Sequence, residues 1–254
     1  MASLSTPGQA PERRSRLALV AAMLGFDAVT LGGLGVLVAT LGLIAPLLGF
    51  VLFAFVGGLL SVVAVLVSGL ALRATRTGNG LGGRNLAWAG LVTGGAMLLV
   101  VLRGASAGFG LPRINDITTD PSDPPAFEYA ARDPETRGRD YSYPPGFAEQ
   151  QRAAYPDLAP IALAVPPDRA FPAAVQAVEK LGMDVTLSDQ ARGVIEARAT
   201  SKLFHFVDDV TIRIRPQGDG SIVDVRSKSR DGKGDLGANA DRIRAIAAEL
   251  AAPS

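Results

Sequence analysis

Cysteine is absent from the 254-residue chain, and histidine occurs once, at His205. The first absence excludes disulfides and thiol catalysis, and the second excludes a histidine-rich zinc site. A Ca²⁺ or Mg²⁺ site built from oxygen ligands stays open; otherwise no cofactor is expected, and no nucleic-acid partner. Acidic residues are scarce in one half: residues 1–110 hold only Glu12 and Asp27, against seven arginines. Of the chain's 25 basic and 24 acidic residues, 18 and 22 therefore fall in 111–254. The net charge of +1 hides one half at about +5 and another at about −4. The first half suits lipid and the second suits water.

What the first half has instead is apolar length. Leu17–Leu72 is an almost unbroken apolar run, too long for one spanning helix of about 20 residues. Glycine and proline at Gly42–Pro46 divide it. Three transmembrane helices are expected at about 17–38, 47–72 and 86–102, after a cytoplasmic tail over 1–16 whose first twelve residues read as disordered. Arg13, Arg14 and Arg16 precede the first span, and Arg73, Arg76 and Arg84 lie between the second and third. Such placement puts both basic segments in the cytoplasm and everything after about residue 103 outside. A cleaved signal peptide fits less well, since its apolar core is shorter and no second span should follow. Asp27 falls near the centre of span one, where a carboxylate costs about 2.5–3.5 kcal/mol. It reads as a protonated carboxyl bonded to Thr30, Ser61, Ser68 or Thr93 inside a small bundle, with a proton relay as the alternative. Gly25, Gly32, Gly33, Gly35, Gly57 and Gly58 permit close helix packing.

Residues 103–160 are expected to form a proline-rich extended arm. Its prolines forbid long helices and central strands. Phe127, Tyr141, Tyr143, Phe147 and Tyr155 pin it to the folded domain, and a short helix is expected around Gly146–Ala154. Within 111–160 acids outnumber bases nine to five. From Ile161 the pattern turns regular and predicts an α+β domain over 161–250 in the order β-α-β-β-β-β-α, an antiparallel sheet with both helices on one face. The strands are Ile161–Val165, Met183–Ser188, Gly193–Thr200, Asp209–Arg215 and Ser221–Ser227. The helices are Asp168–Leu181 and Asp235–Leu250.

Strand alternation turns Ile195, Ala197, Ala199, Val210, Ile212, Ile214, Val223 and Val225 toward the helices. The opposite face then carries Arg198, Arg213, Arg215, Arg226 and Lys228 against Glu196 and Asp224. That basic face suits phosphate-rich lipid or other anionic envelope material, unless cross-strand pairs or the acidic arm cover it. The sharpest constellation is SIVDVRSKSRDGKGDLGANADRIRAI, Ser221–Ile246. A glycine turn runs into a helix opening on Asp235, and free N–H groups there favour an anion. The bland alternative is that Asp235 caps the helix and pairs with Arg230 or Arg242. The tentative ligand-binding set is Arg226, Ser227, Ser229, Arg230, Lys233, Asp235, Asn239 and Arg242, with no catalytic and no metal residue assigned. Asn239 and Arg242 with Ser227 and Ser229 also read as a buried clasp of sheet to helix. Asp208 and Asp209 follow each other at a strand start and so point to opposite faces.

Four blocks resemble the membrane-anchored bacterial form of the domain of unknown function 1499 family: Ile114–Phe127, Ala154–Pro160, Phe206–Pro216 and Asp224–Arg244. The resemblance implies a bacterial envelope protein and carries no activity with it. Arg226, Ser227, Ser229, Arg230, Gly232, Asp235, Gly237, Asn239 and Arg242 match the family signature. The combined expectation is a multi-pass inner-membrane protein, more non-enzymatic than enzymatic, with an extracytoplasmic domain. That domain would bind an anionic lipid or other envelope ligand, or a partner protein. The alternatives are a metal-assisted hydrolase using Asp209 and Asp235, and a purely structural envelope component.

Overall fold

The computed structural model describes residues 13–252; the polar tail expected over residues 1–12 lies outside them. Two compact units follow each other, Met1–Ser106 and Ala107–Ser254.

The first unit holds three helices long and apolar enough to cross a membrane: Arg16–Thr40, Pro46–Ala74 and Arg84–Ser106. They comprise α1 (Arg16–Thr40), α2 (Pro46–Val51) continued through a π-helical turn Leu52–Gly57 into α3 (Gly58–Ala74), and α4 (Arg84–Ser106). Two short strands, β1 (Arg13–Arg14) and β2 (Leu81–Gly82), pair in parallel. Many large side chains on these helices look outward, and the seam between them is lined by Ala18, Ala21, Ala28, Ala64, Ala71 and Ala87, with Met97 of α4 inserted against Gly32 and Gly57. Packing is limited by backbone contact: a Cβ at Gly90 would fall 2.3 Å from the Ala21 carbonyl oxygen, and one at Gly25 2.7 Å from that of Gly90.

Two expectations fail here. Gly33 faces open space. Asp27 is exposed on the outer surface of α1, not bonded inside the bundle. The hydroxyls meant for it turn to their own helices instead: Ser61 Oγ donates to Gly57 O at 2.6 Å and Thr93 Oγ1 to Ala89 O at 2.8 Å. The reason is periodic. Ala21, Gly25, Ala28 and Gly32 occupy the inward stripe of α1, and Asp27 lies off it.

The second unit is a six-stranded antiparallel sheet. Its strands are β3 (Asp116–Thr118), β4 (Ile161–Leu163), β5 (Asp184–Asp189), β6 (Val194–Thr200), β7 (Val207–Gln217) and β8 (Gly220–Ser229). The order is β3-β8-β7-β6-β5, and β4 shares the outer edge of β8 with β3. Strand β3 lies inside the segment read as an arm, so the arm supplies part of the sheet. Gly218 and Asp219 form the two-residue loop between β7 and β8, with Gln217 opposite Gly220. The two long helices, α6 (Pro167–Lys180) and α7 (Ala238–Ala251), cover one face, and α5 (Phe147–Ala154) lies in the arm. All eight strand residues assigned to the helix side are buried there, with Phe171, Ala174, Val178, Ala240, Ile243 and Ile246. This core belongs wholly to the unit.

Candidate functional site

The face opposite α6 and α7 is not an open basic surface. The arm covers it and pairs its charges one by one. The Arg226 side chain is 3 % exposed. Its Nε and Nη2 donate to the two oxygens of Asp116 at 2.8 and 2.7 Å, Nη1 to Pro125 O at 3.0 Å, and Nη2 also to Tyr141 O at 2.9 Å. The guanidinium lies between the rings of Phe127 and Tyr143, with centroids 4.9 and 5.5 Å away. Lys228 Nζ donates to Asp116 as well, at 2.9 Å.

The same logic repeats along the sheet. Glu196 is buried and accepts the backbone N–H groups of Glu128, Tyr129 and Ala130. Arg198 pairs with Asp133, and Asp224 accepts from Arg213 and Arg215. Gln151 closes the exposed edge of β3: its Nε2 donates to Thr118 O at 2.6 Å and its Oε1 accepts from Thr118 N at 3.0 Å. One side chain thus imitates a neighbouring strand.

On the helix side the predicted residues form a closed polar cluster. Ser227 Oγ donates to Asn239 Oδ1 at 2.6 Å, and Arg242 Nη1 donates to both at 2.8 Å. Asn239 Nδ2 donates to Ser229 Oγ at 2.9 Å and to Asn115 O at 3.3 Å. Arg242 Nη2 reaches Asp208 at 2.6 Å. Asn239 and Ser227 are fully buried, so each missing partner would leave an unsatisfied polar group. The structure thus brings Ser227, Ser229, Asn239 and Arg242 together, and places Arg226 and Arg230 on the other side of the sheet.

Asp208 and Asp209 diverge. Asp209 faces the arm and accepts from Arg230 Nε and Nη2 at 2.9 and 2.7 Å and from the Tyr141 hydroxyl at 2.5 Å. Burial pushes the Tyr141 phenol up, and the Asp209 carboxylate adds to it. Burial alone would lower the Arg230 guanidinium, but the hydrogen bonds to Asp209 outweigh it and the net shift is upward. Burial, with the nearby Asp116 carboxylate, pushes Tyr143 up to about 12.

The helix start departs from expectation. The helix opens at Ala238, not Asp235. Asp235 turns its own carboxylate onto the N–H groups of Gly237 and Asn239, at 2.9 and 3.0 Å. The donors offered to an anion are therefore already taken by a side chain. Neither Arg230 nor Arg242 pairs with Asp235; Asp209 and Asp208 hold them. With Asp209 chelated by Arg230 and Asp235 capping, neither carboxylate is poised for acid–base work. Among the described residues no three His, Cys, Asp or Glu cluster as metal ligands.

Lys233 alone of the predicted set stands exposed, outside every ion pair seen among the described residues. Its surroundings hold features that the sequence reading missed. Leu236 is 53 % exposed at φ 55°, a left-handed conformation unusual for leucine. It covers Gly108, where an added Cβ would meet Leu236 Cδ2 at 2.3 Å. Phe109 beside it is 90 % exposed. Arg113 abuts Gly234, is exposed, and likewise enters no ion pair seen among the described residues. The loop 201–206, with Lys202 and the exposed Leu203, leaves the same end of the sheet, because Thr200 pairs with Val207 and Arg230 N donates to Val207 O. Three large apolar side chains and three cations thus share one end of the domain. Helical periodicity misleads here: in a helix opening on Asp235, Leu236 would be buried with Ala240 and Ile243, but the helix starts at Ala238 and leaves Leu236 outside it, exposed.

No curated protein matches the chain. The model of a family described as a protein of unknown function, DUF1499, matches residues 116–250, from the first residue of β3 to the last turn of α7. With its matched segment reaching from the buried Asp116 through the Asn239 clasp, the chain belongs to the DUF1499 family.

Proposed function

We propose that this is a multi-pass protein of the bacterial inner membrane whose extracytoplasmic C-terminal domain docks on anionic lipid headgroups and acts by binding rather than catalysis. The arginine-rich ends of α1, α3 and α4 lie at one end of the bundle, and the bias of Lys/Arg toward the cytoplasm assigns that end. An odd number of crossings then takes residues 107–254 to the other side. The observation that carries the docking reading is that exposed Phe109, Leu203 and Leu236 leave one end of the domain along with exposed Arg113, Lys202 and Lys233. Apolar side chains entering the headgroup region beside cations is how a folded surface holds a charged bilayer. Arg226 and Arg230 do not serve this function directly, being committed to Asp116 and Asp209.

The domain 107–254 has its own core, so it can be tested with vesicles. It should co-sediment with phosphatidylglycerol vesicles and not with phosphatidylcholine vesicles. Leu236→Gly should weaken binding by about tenfold through lost apolar area. The same change should raise the unfolding free energy by about 1 kcal/mol, because glycine takes a left-handed φ without strain. Opposite signs in binding and stability separate docking from folding. Lys202→Gln with Lys233→Gln should weaken binding by roughly thirtyfold, at about 1 kcal/mol per cation near the surface. Binding indifferent to all three substitutions, or absent in the unaltered domain, would contradict the proposal.

A further inference from the structure

The arginine end of the helical unit carries a second site, independent of the docking surface. Between β1, β2 and the start of α4 lies an open concavity of about 590 Å³. Arg14, Arg76 and Arg84 line it together with the glycine-rich turn from Gly78 to Gly83. If these arginines only set orientation, any loose loop would suffice. Here the loop is built. Arg14 pairs with Gly82 in the β1–β2 ladder, and Ser15 N donates to Gly82 O at 3.0 Å. Arg84 Nη1 donates to Leu72 O at 3.1 Å, and Asn79 Nδ2 donates to Arg73 O and Ala74 O, so the loop caps the C-terminus of α3. Arg84, Asn85 and Leu86 of the first turn of α4 line the same space, and Gly83 O accepts the Leu86 and Ala87 N–H groups.

Among the described residues no acidic side chain pairs with the charge in this concavity. Arg14 and Arg76 are exposed and enter no ion pair among the described residues. Asp27 is the sole acid between residues 13 and 106, and it lies eleven residues beyond the start of α1 at Arg16, about 16 Å along the helix. Trp88, 47 % exposed and one turn into α4 from Arg84, marks the level of the membrane interface.

We infer that this concavity binds the phosphate of an anionic phospholipid headgroup, gripped by Arg14 and Arg76 with Arg84 holding the loop in place. Trp88 is the only tryptophan in the chain and reports on the site directly. Full-length protein is reconstituted in phosphatidylcholine bilayers with a minor fraction of brominated phosphatidylglycerol or brominated phosphatidylcholine. Brominated phosphatidylglycerol should quench Trp88 about fivefold more per molecule, as lipid-specific recognition by a basic pocket requires. Arg14→Gln with Arg76→Gln should equalise the two lipids while leaving Arg13, Arg16, Arg73 and Arg84 to maintain orientation. Equal quenching in the unaltered protein overturns the inference, and so does a preference that survives the double substitution. Loss of the preference on adding inorganic phosphate would assign the site to free phosphate and overturn the lipid assignment.

Discussion

At the scale of single residues, Arg226 shows how an exposed-looking pattern becomes a buried one. Strand alternation puts it on the face away from the helices, and the structure keeps it there, 2 % exposed. A charge so placed is tolerable only when paired and hydrogen-bonded; Asp116, two backbone carbonyls and two aromatic rings meet that demand. Lys would not substitute, since the site uses the planar fork of a guanidinium. The same packing has a signature in pH. Tyr143 holds its proton up to about 12 when folded, whereas an unfolded tyrosine loses it near 10. Between those values the unfolded chain binds fewer protons, so stability falls as pH rises. The stabilisation is complete below pH 10 and lost as pH passes through about 12. Tyr143→Phe should flatten that alkaline decline, as followed by the urea midpoint of the domain from pH 9 upward. An unchanged decline would mean that Tyr143 is accessible to solvent.

At the scale of elements, the two units differ in what sequence reveals. In the sheet a period of two decides everything, because one face is apolar and a slip would invert it. Ile195, Ala197, Ala199, Val210, Ile212, Ile214, Val223 and Val225 were legible for that reason, and all are in the core. The membrane helices are apolar on every side, so hydropathy gave their existence without their facing. Asp27 was misplaced as a result. Small residues, not polar ones, choose the inward stripe. Asp27→Leu should therefore leave the thermal stability of the detergent-solubilised protein within roughly 0.5 kcal/mol, as for other surface changes. Gly90→Ala should lower it clearly, since a Cβ there meets Ala21 O at 2.3 Å. Equal losses in both would return Asp27 to the bundle interior.

At the scale of the whole molecule, the parts that sequence left dark are the ones formed by distant contacts. The Arg226–Asp116 pair spans 110 positions, and Glu196 reaches the backbone of Glu128 across 68. A proline-rich segment has no period from which such partners could be read. Its acidity hinted that it could cover a basic face, but not which carboxylate meets which arginine. The clasp of Ser227, Asn239 and Arg242 was more legible, because its members are close in sequence and three apart on one helix. Together these contacts use Arg226, Ser227, Arg230, Asn239 and Arg242 to hold arm, sheet and helix together. The direct test is urea unfolding of 107–254 carrying Arg226→Ala with Arg230→Ala, with and without phosphatidylglycerol vesicles. The account predicts a loss of about 3–5 kcal/mol, because Asp116 keeps only Lys228 and Asp209 only the Tyr141 hydroxyl as side-chain partners, and a domain that no longer unfolds cooperatively at 25 °C. A doubly substituted domain that keeps its urea midpoint and loses only its lipid binding would contradict it, and would make the two arginines a ligand site.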